Sequence, residues 1–391
     1  MKIDSRAHGR RKHTCAIVRA PPASSSHALA FGSGAPELKL DVQWPRWLGD
    51  ALGWLLQPAA ALAKAVNDSD LGTTVGGLIL SATGDVKTRF EAAERLVAIG
   101  DIHGDVDALR VALKLCNVLG PNDEWVGGKT VLVQVGDQLD RGDTELAVLR
   151  LLYRLQDTAP AAGGKVHILL GNHELMNVEH DFRYVTQGGF AEFAREVEKT
   201  GREPDLSKVP TPVIESIKAM PQWMRPRALA FRPGGTEATL MANRMQVAVV
   251  VGDNLFVHGG LKPEHVTEPD ALETMNKNTR QFLLGKADKP TALRGGKSPV
   301  WMRNFSRPVP ETSDCSMLTR TLQLTNTRRM IVGHTPQAAG VNGACSGRVW
   351  RVDTGMSSAY GGIPEALEIT PKRVRILTPR GVQAGNSRMR R

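Results

Sequence analysis

The stretch Leu96-Val97-Ala98-Ile99-Gly100-Asp101-Ile102-His103-Gly104-Asp105 decides the fold of this chain. Its first four residues are apolar, and its last six include two glycines, two aspartates and a histidine. A short apolar run is typical of a buried strand, and the apolar residues between Val106 and Cys116 then recur at helical spacing. The stretch therefore predicts a strand, a polar loop and a helix, with Asp101 and His103 on the loop.

The same pattern returns twice further along the chain. The apolar run 131–135 precedes Gly136-Asp137-Gln138-Leu139-Asp140-Arg141-Gly142, and the run 166–170 precedes Gly171-Asn172-His173-Glu174. A second helix is predicted from Thr144 to Gln156, where leucines recur. This alternation predicts an α/β fold in which polar side chains gather at the carboxyl ends of the strands.

Additional strands are predicted in the second half of the chain. The runs 247–251 and 255–257 flank Gly252-Asp253-Asn254, which is a hairpin signal. Residues 330–332 and 349–352 supply further predicted strands. His258 and His334 follow two of these runs. We therefore expect two packed sheets flanked by helices, with their loops meeting along one edge.

The charge distribution bears on the class of partner. The chain has 391 residues and a formal net charge of +10. Arginine and lysine crowd residues 1–20 and 371–391, and the second of these segments contains no acid. Between them the charges are close to balanced, so a basic nucleic-acid groove is not expected. We expect a globular catalytic domain over residues 91–377 and a basic, flexible tail over 378–391.

Residues 1–90 are predicted to be a targeting leader and linker. The first 36 residues are rich in Arg and Ser and poor in acid, as in an organelle transit peptide. The apolar segment 51–63 then leads into Ala63-Lys64-Ala65, which resembles a signal cleavage site. Together they suggest a chloroplast address, with the lumen as one destination. A disordered leader, an amphipathic helix packed on the domain and a cytoplasmic address remain open alternatives.

No stable membrane insertion is expected. The apolar segment 51–63 is interrupted by Gln57 and Pro58, and it is too short to cross a bilayer.

The four cysteines indicate no zinc finger or redox motif, because no Cys-x-x-Cys pair occurs. Cys116 is expected in the core, whereas pairing of Cys315 with Cys345 in an oxidising compartment is left open by the sequence.

The polar loops contain the ligand types of a site for two divalent metal ions. Such a site needs a carboxylate shared by both ions. The oxygen and nitrogen donors, without thiolate, suit Mn first, with Fe or Zn as alternatives. The expected ligands are Asp101, His103 and the bridging Asp137 for one ion, and Asn172, His258 and His334 to complete the second.

The remaining motif residues suit phosphoester hydrolysis. We expect direct attack of a metal-bridged hydroxide on phosphorus. His173 is placed as the general acid for the leaving oxygen, with Asp140 orienting it. Arg141 offers a fork to the phosphate oxygens. Arg303 is a second phosphate candidate, with a structural salt bridge as the alternative.

These motifs resemble those of the phosphoprotein phosphatases, from about Ala98 to Gly355. The runs 175–177, 181–186 and 350–355 are similar to one branch, the Shewanella-like protein phosphatases. The resemblance implies the metallophosphoesterase fold, a two-sheet β-sandwich flanked by helices with a binuclear metal site at the strand-end loops. It also implies phosphorylated protein substrates, on tyrosine or on serine and threonine. Within this branch, Asp181, Arg183 and Tyr184 either border the substrate cleft or belong to a packed insertion that only shapes the fold.

Two other functions remain as alternatives. A symmetrical dinucleoside-tetraphosphate hydrolase would use the same scaffold and the same metal ligands. A scaffold protein that has lost catalysis would keep the fold, although every motif residue for catalysis is present in this chain.

Overall fold

The computed structural model describes residues 86–200, 206–207, 209–307 and 311–389, together with short strands at 74–75 and 78–79. The predictions made for the leader, including the transit segment and the cleavage-like sequence at Ala63-Lys64-Ala65, lie outside these residues. Within them, no helix is long and apolar enough to span a bilayer.

The strands and helices follow the alternation seen in the sequence. In chain order the strands are β1 (Thr74–Val75), β2 (Leu78–Ile79), β3 (Arg89–Phe90), β4 (Leu96–Ile99), β5 (Val131–Gln134), β6 (Lys165–Leu169), β7 (Met245–Gln246), β8 (Ala248–Val251), β9 (Asn254–Val257), β10 (Arg329–Val332), β11 (Asn342–Ala344), β12 (Val349–Arg351), β13 (Ala366–Ile369), β14 (Val374–Thr378) and β15 (Gly381–Ala384). The helices are α1 (Val106–Leu115), α2 (Glu145–Thr158), α3 (Asn172–Val178), α4 (Gln187–Thr200), α5 (Thr211–Lys218), α6 (Arg225–Phe231), α7 (Thr236–Arg244), α8 (Ala271–Leu283) and α9 (Thr312–Leu324).

Two mixed sheets form the centre of the fold. One has seven strands in the order β15-β14-β13-β4-β5-β6-β7, and the other has six in the order β11-β12-β10-β9-β8-β3. Strands β1 and β2 pair separately as a small antiparallel ladder. The predicted hairpin is present, because β8 and β9 pair antiparallel around Gly252 and Asp253.

The two faces of each strand bury different clusters. Leu96 and Ala98 pack with Phe256 and Trp350 of the opposite sheet. Residues 97 and 99 point the other way, into the larger cluster that includes the buried faces of the helices. Side chains alternate in this way along any strand, so each sheet is covered by the other sheet on one face and by helices on the other. The predicted layered sandwich is confirmed.

Parallel pairing explains why the motif loops meet. Strands β4, β5 and β6 are parallel neighbours, and each is followed by one of the three motifs. In the other sheet, β10 runs parallel to both β9 and β12. The carboxyl ends of parallel strands lie at one edge of a sheet, so the loops after all six strands gather at the same end of the sandwich.

The predicted flexible tail is wrong as far as Met389. Strand β15 pairs with β14, and Met389 makes a bridge with Gly343. The basic residues near this end are not all solvated, because Arg388 Nη1 lies 2.6 Å from the Glu365 carboxylate. A neutralised arginine and an added strand hold the segment against the sheet.

The cysteines are placed as the open prediction allowed. Cys315 on α9 and Cys345 beyond β11 form a disulfide, with their Cα atoms 5.3 Å apart. Cys116 is a free thiol buried in the core, as predicted. The disulfide therefore ties a helix to the turn between β11 and β12.

Candidate metal centre

The loops that carry the candidate residues have an unusual backbone. His103, Asp137, Asp140, Arg141 and His334 all have positive φ angles, between 48° and 68°. Non-glycine residues rarely adopt this conformation, and they do so where the surrounding structure enforces it, as at functional sites. The sharp turns aim side chains from successive loops toward one another.

Asp137 lies at the centre of the cluster. Its Oδ2 atom is 3.2 Å from His258 Nε2 and 3.9 Å from the Nε2 atoms of both His103 and His173. Potential ligand atoms form two groups that share this carboxylate, one with His103 and His173 and one with His258 and His334. The geometry matches a carboxylate shared between two cation sites.

Three histidine rings are held by main-chain carbonyl groups. When one ring nitrogen donates to a carbonyl, the tautomer is fixed and the other nitrogen is free to bind a cation. The three bonds join His103 Nδ1 to Leu139 O (3.0 Å), His258 Nδ1 to Val135 O (2.8 Å) and His334 Nε2 to Trp301 O (3.0 Å). All three rings are therefore oriented as metal ligands usually are.

The second group contains facing nitrogen and oxygen atoms. His258 Nε2 is 3.1 Å from Asn172 Oδ1 and 3.2 Å from His334 Nδ1. Burial and, to a smaller extent, the adjacent His258 lower the pKa of His334 to about 2. A neutral His334 presents a lone pair toward these atoms, which suits a cation placed among them.

Asp353, a buried carboxylate that was not predicted, completes the centre. It lies beside Asp101. Burial raises the pKa of Asp101 well above its usual value, and the carboxylates of Asp353 and Asp137 raise it further. Burial likewise raises the pKa of Asp353 to about 6. The Oδ2 atom of Asp353 has no hydrogen-bond partner among the described residues. Asp353 follows β12 as the motif aspartates follow their strands, and that position was the signal available in the run 350–355.

This donor set fits divalent cations. Three carboxylates buried together repel one another, and nearby cations would relieve that repulsion. Histidine nitrogens and carboxylate oxygens are suitable ligands for such ions. The aspartate and histidine clusters therefore suggest divalent metal ions, which the residues of the centre are arranged to hold.

Glu174 braces the loop that carries Asp137. Its carboxylate accepts main-chain N–H bonds from Asp137, Gln138, Leu139 and Gly171, at 2.7–3.2 Å. Burial raises the pKa of Glu174 to about 7, with the Asp137 charge adding to the effect. Although Glu174 stands in the third motif, the sequence did not reveal this role, because its partners lie on a different loop.

His173 and Asp140 form the predicted pair. His173 Nδ1 is 2.5 Å from Asp140 Oδ2. Burial lowers the pKa of His173, but the nearby charges of Asp137 and Asp140 outweigh burial and raise it overall. Asp140 also accepts a bond from Asn177 Nδ2 at 2.9 Å. Arg227 also contacts Asp140. It is fully buried, and its Nη2 is 3.4 Å from Asp140 Oδ1.

Arg227 was not predicted as part of the site. It forms an ion pair with the buried carboxylate of Glu145, and its Nε donates to Asn177 Oδ1 at 2.8 Å. Glu145 accepts a bond from the main-chain N–H of Asp140, and Asn177 donates to its carboxylate, so the arginine fixes two of the groups that hold Asp140. No local motif marks it, because it lies on α6, in the long stretch of chain between the third motif and His258.

Two tyrosines enclose Arg141. Its guanidinium carbon is 4.4 Å from the ring centre of Tyr184 and 5.1 Å from that of Tyr360. The Tyr184 ring is also 5.2 Å from the ring of His173, and the Tyr360 ring is 5.3 Å from that of His103. Both tyrosines are partly exposed. Of the residues predicted either to border the substrate cleft or to form a packed insertion, Tyr184 therefore lies beside Arg141 and His173.

Arg303 lies at the rim of the centre. Its Nη1 donates to the carbonyl of His334 at 2.7 Å and to Thr335 Oγ1 at 2.8 Å. No ion pair with Arg303 occurs among the described residues, so the alternative of a structural salt bridge is not observed there. The structure thus brings all the predicted site residues to one end of the sandwich.

Known proteins share this sequence and fold. Residues 94–338 match the calcineurin-like phosphoesterase family. Shewanella-like protein phosphatase 2 of Arabidopsis thaliana is 40% identical over 342 residues, which cover 81% of this chain and 87% of the relative. Shewanella-like protein phosphatase 1 of Plasmodium berghei is 28% identical, with 72% and 73% covered. A cold-active protein-tyrosine phosphatase of a psychrophilic Shewanella is 25% identical with a TM-score of 0.60, and 78% of this chain and 85% of that one are covered. The chain therefore belongs to the Shewanella-like protein phosphatases of the calcineurin-like phosphoesterase family, and it is a metal-dependent protein phosphatase.

Proposed function

We propose that this phosphatase hydrolyses phosphomonoesters on proteins without a covalent phosphoenzyme. The observation that supports this most is the position of Asp137 between two groups of ligand atoms. When bound, two divalent ions would neutralise the phosphate and activate water for in-line attack. We propose that both ions are manganese, with iron or zinc as alternatives. Asp101, His103 and Asp137 would hold one ion, and Asn172, His258 and His334 would complete the other with the shared Asp137.

His173 supplies the proton for the leaving oxygen. Because Nδ1 is committed to Asp140, the proton that can be transferred resides on Nε2, which faces Asp137 and the centre. Asp140 stabilises the charged imidazole and fixes its orientation. Asn177 and Arg227 hold Asp140 in turn, so the acid is positioned before substrate arrives.

Arg141 and Arg303 bind the non-bridging phosphate oxygens. Neither forms an ion pair with a carboxylate among the described residues, and Arg141 Nε has no hydrogen-bond partner there. A planar guanidinium matches two phosphate oxygens at once. The two arginines approach from different loops, which would fix the phosphate between them.

Phosphotyrosine is the substrate that we propose is favoured over phosphoserine and phosphothreonine. The Tyr184 and Tyr360 rings beside Arg141 offer aromatic faces next to the phosphate position. Contacts between aromatic rings contribute more binding free energy than the burial of their apolar surface alone. A phenyl leaving group would reach these faces, whereas a serine side chain would not. A relative of known structure is a protein-tyrosine phosphatase, which supports the same preference.

A panel of substrates tests this proposal. Metal-loaded, full-length protein is given a phosphotyrosyl peptide, a phosphoseryl peptide and diadenosine tetraphosphate, and phosphate release is measured. We expect turnover of the peptides, fastest for phosphotyrosine, and its loss with a chelator. Activity on the dinucleotide alone would support the dinucleoside-tetraphosphate hydrolase. No phosphate release from any of the three substrates would favour a scaffold protein.

Substitution of the tyrosines tests the aromatic preference separately. Tyr184→Ala and Tyr360→Ala should each lower kcat/KM for the phosphotyrosyl peptide by roughly two- to tenfold, the size of one aromatic contact. Turnover of the phosphoseryl peptide should change less. Tyr184→Phe and Tyr360→Phe keep the rings and should retain the preference. An equal loss on both peptides would show that the tyrosines only support the site.

For the cellular address we propose the chloroplast, with its lumen as one destination and the cytoplasm as the alternative. Support comes from the composition of the leader and from the Cys315–Cys345 disulfide, because disulfides persist in oxidising compartments. Import of the full-length chain into isolated chloroplasts, with shortening of the leader, is the expected result. Exclusion from the organelle would leave the cytoplasmic alternative.

A further inference from the structure

A cavity of about 660 Å³ adjoins the metal centre. Its walls are the segment 336–340, the segment 354–365 and residues of the β14–β15 hairpin with the turn that follows it. The first segment continues the loop of His334, and the second continues the loop of Asp353. The loops that carry the catalytic centre therefore also build this cavity, which we call the Arg380 cavity after its exposed arginine.

Tyr360 connects the cavity to the phosphate position. It lines the cavity, and its ring also stacks on Arg141 and lies 5.3 Å from the His103 ring. A chain bound in the cavity would pass this ring on its way to the metal centre. The cavity is thus placed to receive residues next to a phosphorylated side chain, and not the phosphate itself.

The lining suits a polypeptide. Ile363 is 54% exposed, and proline and alanine side chains make up much of the remaining apolar wall. Thr354 is 6% exposed, and its hydroxyl has no hydrogen-bond partner among the described residues. Buried hydroxyls are normally bonded. A main-chain amide of a bound segment could supply the missing bond.

The charge of the lining is positive. Glu365 is the acidic residue of the wall, and Arg388 neutralises it at 2.6 Å. Arg380 is exposed and forms no ion pair within the described residues. Its main-chain N–H bonds to Thr378 Oγ1, which fixes the turn that presents it. One unpaired guanidinium therefore stands at the cavity and favours a carboxylate in whatever binds there.

We propose that the Arg380 cavity binds the segment that flanks the phosphorylated residue of a protein substrate, and that Arg380 selects segments with an acidic side chain. This inference rests on the proposed phosphatase function. It adds the part of the substrate that the enzyme recognises beyond the phosphoryl group.

The test compares peptides with a small substrate. A series of phosphotyrosyl peptides carries one glutamate at successive positions on either side of the phosphotyrosine, and a matched series carries glutamine. With metal-loaded, full-length protein, one or two positions should raise kcat/KM by roughly two- to fivefold, as expected for one exposed ion pair. Arg380→Ala should abolish this difference, and Arg380→Glu should reverse it. Ile363→Ala should raise KM for all the peptides.

Small-substrate turnover separates the possible failures. All these variants should hydrolyse p-nitrophenyl phosphate at the wild-type rate, because neither residue touches the phosphate position. Arg320→Glu, on the exposed face of α9, is the matched control and should keep the wild-type ranking of peptides. An unchanged ranking in Arg380→Glu would overturn the inference. Absence of turnover of every substrate by the wild type would instead overturn the proposed function.

Discussion

At the scale of single residues, the centre depends on side chains that hold other side chains. Asp137 stands among four histidines, Glu174 fixes the loop beneath it, and Arg227 supports Asp140 from behind. Groups held in this way need little reorganisation when the substrate binds, which is a large part of what an active site contributes to rate.

His173→Asn separates proton transfer from metal binding. Loss of a positioned general acid typically costs roughly 10²- to 10⁴-fold in turnover. We expect kcat on a phosphoseryl peptide to fall within that range while metal content stays near the wild-type value. Metal analysis and steady-state kinetics on the same preparation provide the measurement. A parallel loss of metal would assign His173 a structural role.

Arg227→Met leaves a buried carboxylate without its partner. Glu145 is fully buried and pairs with this arginine, so the variant should lose about 3–5 kcal/mol of unfolding free energy. Urea unfolding measures the loss. Arg195→Met removes an exposed arginine whose Nε donates to the Ala191 carbonyl, and it should change stability by less than about 0.5 kcal/mol. Equal stability of the two variants would contradict the role assigned to Arg227.

The sequence reveals local ligands better than distant supports. Asp101, His103 and Asp137 stand in short motifs directly after strands, where spacing alone predicts convergence. Arg227 and the bracing role of Glu174 depend on contacts between segments far apart in the chain, which spacing does not record. Asp353 is intermediate, because its position after a strand was visible but no second motif residue accompanies it.

At the scale of elements, strands were predictable wherever apolar runs were bounded by glycine and polar residues. The helix predicted from Thr144 to Gln156 is observed as Glu145–Thr158. The segment 378–391 was predicted to be a flexible tail because its arginines suggested solvation. Arg388 is instead paired with Glu365, and β15 joins the sheet. A tertiary ion pair of this kind leaves no trace in local composition.

The disulfide between α9 and the β11–β12 turn should stabilise the fold. It closes a loop with a sequence separation of 30 residues, for which chain entropy gives about 3–4 kcal/mol. Reductant should therefore lower the unfolding midpoint of the wild type. Cys315→Ser/Cys345→Ser should start at the lower midpoint and should not respond to reductant. Identical midpoints for oxidised and reduced wild type would contradict this contribution.

At the scale of the whole molecule, the centre exists only when both sheets are packed. Strands β4, β5 and β6 of one sheet and β9, β10 and β12 of the other each lead into a residue of the site. Neither sheet alone would bring His258 and His334 to Asp137. Cation binding should therefore be coupled to folding of the complete sandwich.

Chelation should lower thermal stability. Ions that bind only the folded chain stabilise it by about 2.7 kcal/mol when the free ion exceeds its Kd a hundredfold. Scanning calorimetry should show a lower Tm after dialysis against chelator, and Mn should restore it. Magnesium-free buffer without chelator is the control. A Tm that does not respond to chelator or to added Mn would argue against ions bound tightly between the sheets.

The most direct test of the central claim is the metal content of Asp137→Asn, measured by mass spectrometry alongside phosphate release from a phosphotyrosyl peptide. The wild type should hold about two divalent ions per chain and turn over the peptide. The variant should retain a wild-type fold by circular dichroism, lose both ions and lose turnover. An Asp137→Asn protein that is folded and keeps two ions would contradict the assignment of Asp137 as the carboxylate shared between them.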